Sequence, residues 1–319
     1  NDTIPPQFIK MTPASNNYIY GNQPFSVVGN DNVGVAKTAL YYSTDPEAPL
    51  ESWTLIDEHN GSSYSQNIDT TVMPNGVVYV VAKIYDAVGN FTYSPKQRYM
   101  CDNQGPEQVK NVKCIAVDGT TATLSWSDVS DDDISYFVVE CEQSDGVWKS
   151  VSRTSTNLGV NLSGLTPEHD YVYRVIGYDK RSNRGTPSEE ITVTTLKDTI
   201  CPKVTKITPD PGYFKSEINL RFTAEDDYRV KSIEIQTSTD KESWKTVSEI
   251  KATGESAKCT FDCKLDLKNY EEGSVFVRAK VYDSYGNVTE DKDLTCYEYV
   301  VDRTAPIQPT GVTASSGET

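Results

Sequence analysis

Aspartates recur at two kinds of position in this chain, and carboxylates at such positions could hold a cation. One kind directly precedes a short proline-containing stretch, at Asp102, Asp198 and Asp302. The other kind opens a short stretch that ends in Asn, at Asp86, Asp179 and Asp283. Carboxylate oxygens suit calcium, which takes about six to eight oxygen ligands. Because each junction offers only two or three such groups, we predict that the chain has no metal site.

The stretches that begin with these aspartates are typical of β-hairpin turns. Asp86 to Asn90 and Asp283 to Asn287 both follow the pattern Asp-x-x-Gly-Asn, and Gly and Asn tolerate the positive φ of tight turns. Residues 179–183 occupy the same place in the middle of the chain. A further acidic run, Asp131 to Asp133, lacks the spacing of an EF-hand loop. We predict a solvated loop there.

The sequence offers little for covalent or acid–base catalysis. Its two histidines, His59 and His169, lie in unrelated loop-like contexts. The sequence contains no nucleophile-elbow, zinc-protease or phosphate-loop motif and no pair of cysteines at redox spacing. We therefore predict that the protein is not an enzyme, and that it has no catalytic residues and no cofactor.

Charge and hydropathy limit the partners of the chain. The 319 residues include 30 Lys+Arg and 46 Asp+Glu, a net charge of −16. A surface this acidic repels phosphate backbones, so we predict no nucleic-acid binding. The mean hydropathy is −0.52, and no apolar run approaches the roughly 18–20 residues that span a bilayer. We predict no membrane insertion in this segment, and since Asn1 is not an initiator residue we expect any secretory signal to lie upstream of it.

An internal repeat with a period of about 200 residues organises the sequence. The stretch VAKTALYYSTD at 35–45 returns as VKSIEIQTSTD at 230–240, and VYVVAKIYDAVGN at 78–90 returns as VFVRAKVYDSYGN at 275–287. Between the two copies lies a different unit, whose opening residues return after the second copy. The order is therefore that of a tandem array.

Apolar and polar residues alternate in short runs throughout the array. The clearest are 78–84, 218–224, 233–235 and 275–281, which are rich in Val, Ile, Tyr and Thr and bounded by Asn, Asp, Gly or Pro. Such alternation predicts half-buried strands, and several of them per 100 residues favour β-sandwiches. No stretch has a sustained 3.6-residue period, so we expect helices of a turn or two at most.

The middle unit resembles a fibronectin type III domain. Leu124-x-Trp126 occupies the place of that family's buried strand-B tryptophan, and 133–139 resembles its strand C. Leu165 to Tyr171 matches the L-x-P-x-x-x-Y tyrosine corner, which implies that the Tyr171 ring packs in the core while its hydroxyl binds a backbone group a few residues upstream. The alternating run 171–177 would then be strand F.

The two flanking units resemble the bacterial immunoglobulin-like modules of surface and secreted proteins. The resemblance rests on an Asp-Thr-x-x-Pro opening, acidic turns at 30–32 and 225–227, a Ser-Thr-Asp stretch followed by Trp, and the closing Tyr-Asp-x-x-Gly-Asn hairpin. It implies a segment of a bacterial surface or secreted multidomain protein. The Cys…Trp…Cys spacing of antibody domains is absent from the sequence.

The seven cysteines do not recur between the two flanking copies. A disulfide framework would repeat with the module, and an odd number leaves at least one cysteine unpaired. We predict that most are free thiols, with a single bridge such as Cys114–Cys141 as the alternative.

These observations predict an all-β chain of three tandem sandwiches arranged as an elongated rod. We assign immunoglobulin-like sandwiches to 1–103 and 198–303, a fibronectin type III domain to 104–197, and a linker with the start of a further fibronectin type III-like domain to 304–319. The linkers are short and contain proline, which restricts φ and favours extended backbone before it.

Two functions fit this architecture. The first is a non-catalytic structural or adhesive spacer in a large extracellular or cell-surface protein. The second is a set of accessory modules in a secreted carbohydrate-active enzyme. Twenty tyrosines against eight phenylalanines supply amphipathic contact area that suits partner or sugar binding, but we expect most of them to pack within the fold and its loops. We predict an unidentified protein or carbohydrate partner at the cell surface.

Overall fold

The computed structural model describes residues 2–129, 131–308 and 310–311. Over these residues the chain forms 22 strands and three 3-10 helices of three residues each, at Leu50–Ser52, Thr70–Val72 and Asp291–Asp293. The prediction of an all-β chain is confirmed. Among the described residues, no helix has the length and apolar character needed to cross a membrane. The sequence predicts that a further domain starts within 304–319. Residues 309 and 312–319 of that range lie outside the described residues.

Contacts between Cα atoms divide the chain into two compact units. Unit 1 comprises Asn1–Lys113, Ser125–Val160 and Tyr173–Ile191, and unit 2 comprises Cys114–Leu124, Asn161–Val172 and Thr192–Thr319. The sequence-based domain bounds 1–103, 104–197 and 198–303 stay a prediction. For convenience we call these ranges the first, middle and third segments.

The first segment contains nine strands: β1 (Gln7–Thr12), β2 (Tyr18–Ile19), β3 (Asn22–Asn30), β4 (Val35–Ser43), β5 (Thr54–Asn60), β6 (Tyr64–Asp69), β7 (Gly76–Asp86), β8 (Phe91–Tyr93) and β9 (Gln97–Cys101). One sheet has the order β1-β3-β6 and the other β2-β9-β7-β4-β5, with β8 paired to β7. The alternation predicted at 78–84 lies in β7, where Val78, Val80, Ala82 and Ile84 are all buried.

The middle segment contains seven strands: β10 (Lys113–Val117), β11 (Thr121–Ser125), β12 (Ile134–Glu142), β13 (Trp148–Thr154), β14 (Gly159–Ser163), β15 (Asp170–Asp179) and β16 (Ile191–Thr194). The sheet orders are β10-β11-β14 and β13-β12-β15-β16. The predicted strands at 133–139 and 171–177 correspond to β12 and β15.

The resemblance of the middle segment to a fibronectin type III domain rests in part on Trp126 and Tyr171. Trp126 directly follows β11, is 5% exposed and meets Phe137 edge-on at 5.6 Å. The Tyr171 hydroxyl accepts a hydrogen bond from the Thr166 amide, five residues upstream, at 2.8 Å, as a tyrosine corner requires. Tyr171 is only partly buried, however, and its ring meets that of His169 at 4.7 Å in a T-shaped contact.

The third segment contains six strands: β17 (Lys203–Thr208), β18 (Tyr213–Phe214), β19 (Glu217–Ser238), β20 (Lys245–Asp266), β21 (Gly273–Asp283) and β22 (Tyr297–Val301). Their order is β17-β19-β21-β22-β18, with β20 paired to β19. Residues 225–227, expected to form a turn, lie inside the long strand β19. The pairing of β19 with β20 changes register between Glu225 and Val230, so the strand bends there without ending.

The repeat seen in the sequence has a matching pair of buried tyrosines. The hydroxyl of Tyr99, in β9, donates to the Pro13 carbonyl at 2.7 Å, and that of Tyr299, in β22, donates to the Pro209 carbonyl at 2.9 Å. Both prolines follow a cis peptide bond, and both tyrosines are fully buried. In the first and third segments, the same hydrogen bond therefore connects the last strand to the turn after the first strand.

All seven cysteines are free. Cys101, Cys141 and Cys263 are buried, and Cys296 is exposed. The cysteines therefore contribute side-chain volume to the fold and no covalent cross-link.

Candidate functional site: three aspartate clusters

Each of the three segments has a long strand that ends in a buried aspartate. Asp86, Asp179 and Asp283 are the last residues of β7, β15 and β21, and they are 5%, 1% and 0% exposed. In each turn one carboxylate oxygen, Oδ1, accepts hydrogen bonds from backbone amides that follow it, at 2.7–2.9 Å. The predicted hairpins are confirmed, and the aspartate organises each of them.

The backbone conformation of each hairpin turn explains the type of residue that directly precedes the Asn. Gly89, Ser182 and Gly286 have φ values of 97°, 67° and 92°. A left-handed backbone favours glycine at this point, and a short polar residue can also adopt it. The chain then returns to place the Asn side chain back over the carboxylate.

The Asn that closes each turn performs two functions. Its Nδ2 group donates to Oδ2 of the turn aspartate at 2.6–2.7 Å. The same group donates to the backbone carbonyl of Asp2, Asp102 or Asp198, each of which lies within two residues of the start of the segment, at 3.0–3.3 Å. We call this arrangement the Asn clamp, and it joins the first residues of each segment to its hairpin.

A third aspartate comes from another part of the segment, in β19 for Asp226 and next to a strand end for Asp31 and Asp133. In the flanking segments it is Asp31 or Asp226, and Oδ2 of each accepts hydrogen bonds from the amides two and three residues later, at 2.9–3.3 Å. The acidic turn of the first segment therefore has the same local bonding as the bend inside β19. In the middle segment the third aspartate is Asp133.

Together these residues form three clusters, each with one carboxylate oxygen from every member within 4.8 Å of the others. Cluster 1 is Asp2, Asp31 and Asp86; cluster 2 is Asp102, Asp133 and Asp179; cluster 3 is Asp198, Asp226 and Asp283. The sequence had paired only the linker and hairpin aspartates. Asp302, the remaining linker aspartate, belongs to no such group among the described residues, and its Oδ1 accepts from the Thr304 amide.

Arg181 supplies a positive charge to cluster 2. Its guanidinium Nε lies 3.0 Å from Asp102 Oδ2, and its Nη1 lies 2.5 Å from Asp133 Oδ2. The guanidinium also stacks 3.7 Å above the ring of Tyr18. The prediction that 131–133 is simply a solvated loop is therefore wrong for Asp133, which is half-buried and ion-paired.

Clusters 1 and 3 have no such partner. Within the described ranges, no Lys or Arg forms an ion pair with any of their members. Four of their carboxylate oxygens are buried without a hydrogen-bond partner: Asp2 Oδ2, Asp31 Oδ1, Asp198 Oδ2 and Asp226 Oδ1. The hairpin positions that correspond to Arg181 are held by Val88 and Tyr285.

Burial raises aspartate pKa values in both cluster 2 and cluster 3, and in cluster 2 it raises the pKa of Asp133 to about 6. Burial raises the pKa of Asp226 to about 6, and the neighbouring Asp198, Asp227 and Asp283 act in the same direction. Burial also raises the pKa of Asp198. In the Asp86 turn, burial is outweighed by the bonds from Asn90 and the other turn amides, which together lower the pKa of that carboxyl. Cluster 3 thus concentrates negative charge, and no Lys or Arg in the described part of the chain forms an ion pair with it.

Comparisons with known proteins bear on the middle segment. Residues 107–194 match the fibronectin type III domain family, so the chain contains such a domain. One similar structure is the fibronectin type-III domain of a human protein called fibronectin type III domain containing protein 3. It is 26% identical, and the match covers 31% of this chain and 93% of that domain, with a TM-score of 0.28. The fibronectin(III)-like modules of Clostridium thermocellum CbhA are 16% identical over 60% of this chain and 94% of theirs, with a TM-score of 0.33.

A third structure extends over nearly the whole chain. The FN1–FN3 domains of chicken CNTN1 are 13% identical over 94% of this chain and 99% of theirs, with a TM-score of 0.27. A search of curated proteins gave no match. The assignment of the flanking segments as bacterial immunoglobulin-like modules stays a prediction.

Proposed function

We propose that this chain is a non-catalytic structural or adhesive segment of a large extracellular or cell-surface protein, in which the modules act as spacer and interaction surface. Fibronectin type III domains are commonly structural or adhesive modules of multidomain proteins. The observation that carries the proposal is the Asn clamp, which recurs three times at the start of a segment. A chain that fixes every point where a segment begins is suited to bearing load.

In unit 1 the linker residue Asp102 is held from both sides. Its amide donates to the Ile19 carbonyl at 3.0 Å, while its carboxylate pairs with Arg181 and its carbonyl accepts from Asn183. Asp102 is thus held both by Ile19, which is earlier in the chain, and by Arg181 and Asn183, which are later. Because of these contacts, the linker has little freedom to bend.

Unit 2 contains a second supported linker. Asp198 is buried and its carbonyl accepts from Asn287. The Tyr285 hydroxyl donates to the Pro167 carbonyl at 3.1 Å, and the Thr120 hydroxyl donates to Asp227 at 2.9 Å. These bonds fasten the hairpin and bend of the third segment to residues of the middle segment within the same unit.

Limited proteolysis of the 319-residue chain tests the proposal. A matched control chain carries Gly-Ser-Gly-Ser-Gly in place of residues 102–106, which removes the ordered linker but keeps its length. We expect the native linkers at 102–106 and 198–202 to be cleaved no faster than the sheets, and the control linker to be cleaved first. Preferential cleavage of the native linkers would count against a load-bearing spacer.

The alternative is a set of accessory modules in a secreted carbohydrate-active enzyme. The coding sequence on either side of this segment separates the two functions, because an adjacent catalytic or sugar-binding domain would favour the alternative and further repeats with a surface anchor would favour the spacer. The bacterial setting and the extracellular location are part of the proposal and derive from the sequence resemblance.

A further inference from the structure

We propose that cluster 3 and its counterpart cluster 1 are binding sites for a divalent cation of the oxygen-preferring class, with calcium as the best match, and that Arg181 takes the place of the ion in cluster 2. This inference does not depend on the proposed function, because it concerns the charge balance of three local sites.

The strongest observation is the state of Asp198. Its side chain is 1% exposed, and its Oδ1 accepts a hydrogen bond from the Ile200 amide at 2.9 Å. Its Oδ2 is buried and has no hydrogen-bond partner, although the residue offers a carboxylate oxygen within 4.8 Å of one each from Asp226 and Asp283. Buried charges in proteins are paired or coordinate metals, and within the described part of the chain nothing pairs with this oxygen.

A second unpartnered oxygen belongs to the same cluster. Oδ1 of Asp226 is also buried without a partner, while its Oδ2 is engaged by the amides of the bend. Two carboxylates of the third segment, at its start and in the bend of β19, therefore each keep one oxygen without a hydrogen-bond partner in the same cluster. In cluster 1 the free atoms are Oδ2 of Asp2 and Oδ1 of Asp31, which are the corresponding residues of the repeat.

The donor set selects the class of ion. Each cluster consists of carboxylate oxygens with no His or Cys among its members, which disfavours zinc and favours hard cations. Calcium–oxygen distances of about 2.3–2.6 Å place oxygens on opposite sides of an ion about 4.6–5.2 Å apart. The 4.8 Å limit within each cluster is compatible with that spacing, and water can complete the coordination.

Cluster 2 provides an internal comparison. Its three aspartates occupy the same places relative to the hairpin and the Asn clamp, yet none of its oxygens is left buried without a partner. The difference is Arg181, which bridges Asp102 and Asp133. Where the hairpin carries Val88 or Tyr285 at that position, no Lys or Arg among the described residues pairs with the aspartates, and a bound cation would balance their charge.

The test is calorimetric titration of the metal-free 319-residue chain with calcium chloride. We expect two ions per chain, with Asp226→Asn and Asp31→Asn each removing one and the matched variant Asp133→Asn leaving the number at two. A single ion that is lost in Asp226→Asn supports cluster 3 and overturns cluster 1. No binding at millimolar calcium, or binding unchanged in both Asp226→Asn and Asp31→Asn, overturns the proposal.

A second variant keeps the test decisive if an Asn substitution unfolds the chain. Val88→Arg places at cluster 1 the residue that cluster 2 already uses, so we expect a folded chain that binds one ion fewer and whose thermal midpoint depends less on calcium. Retention of both ions by a folded Val88→Arg chain would contradict the proposed role of Arg181.

Discussion

The Nε atom of Arg181 lies 3.0 Å from Oδ2 of Asp102, and this ion pair distinguishes the middle segment from its neighbours. Both side chains are largely shielded from water, with 14% and 20% exposed. The arginine comes from the hairpin and the aspartate from the start of the segment, so the pair fastens the same two pieces of backbone as the Asn clamp. The same arrangement of three aspartates beside a hairpin thus occurs three times, but only in cluster 2 does an arginine of the described chain balance their charge.

Replacing Arg181 by Val would leave two half-buried carboxylates without their cation. Removal of one partner of a shielded ion pair costs about 3–5 kcal/mol of unfolding free energy, and we expect a loss of this order. Urea unfolding followed by tryptophan fluorescence would measure it, since Trp126 and Trp148 report on the middle segment. We also expect calcium to restore part of the loss, because the variant cluster then resembles clusters 1 and 3.

Lys180→Val is the control for that experiment. Lys180 is the adjacent exposed cation, and its Nζ group donates only to the Asp132 carbonyl in the structure described. We expect it to change the unfolding free energy by less than about 0.5 kcal/mol, the usual range for surface substitutions. Equal losses in the two variants would show that the ion pairs of Arg181 do not stabilise the fold.

Tyr99→Phe and Tyr299→Phe should have matching effects. Each removes the hydroxyl that donates to the carbonyl of Pro13 or Pro209 and leaves the buried ring in place. We expect each to lower the unfolding free energy by about 0.5–1.5 kcal/mol, the net value of one hydrogen bond. Thermal unfolding would measure both, with Tyr213→Phe, at a residue 76% exposed, as the neutral control. A Phe variant as stable as the parent chain would contradict the assignment.

Asp240 should titrate far below an ordinary aspartate. Amide donors from Ser243 and Glu242 and the Ser238 hydroxyl lower its pKa to about 2. Because the folded-state pKa lies below the unfolded value near 3.8, its contribution to stability is present above pH 4 and is lost as the pH falls through about 2. NMR titration of the carboxyl carbon would measure the pKa, and Asp240→Asn should abolish this pH dependence. A midpoint near 3.8 would contradict the bonding of this turn.

The thiols should differ sharply in reactivity. Cys101, Cys141 and Cys263 are buried and Cys296 is exposed, so we expect native-state alkylation to spare the first three and to modify Cys296 first. Mass spectrometry of the alkylated chain would identify the sites. Dithiothreitol should shift the thermal midpoint by no more than about 2–3 °C, because loss of a disulfide, at about 2–4 kcal/mol, would shift it further. A larger drop would reveal a bridge.

The sequence predicted the strands well because burial on one face imposes a period of two. Leu220 and Phe222 in β19, or Val78 and Val80 in β7, are buried as the alternation requires. The pattern was weaker where a strand bends without ending. The residues around Asp226 look like a turn in sequence, and only the register of β19 against β20 shows that the strand continues.

The aspartate clusters were only half visible in the sequence. The linker and hairpin aspartates stand in recurring motifs, and the sequence placed them side by side. Asp31 and Asp226 also recur, but a linear pattern identifies them only as turn residues, since nothing in it shows that they face the hairpin. No sequence motif marks Arg181, because its importance lies in a charge that Val88 and Tyr285 do not carry.

The most direct test of this account is a crystal structure of the 319-residue chain grown with calcium chloride, with anomalous scattering recorded to locate the ions. The account predicts anomalous peaks at clusters 1 and 3, each within about 2.3–2.6 Å of its three carboxylates, and no peak at cluster 2 beside Arg181. Ions absent from clusters 1 and 3, or an ion bound at cluster 2 with Arg181 displaced, would contradict it.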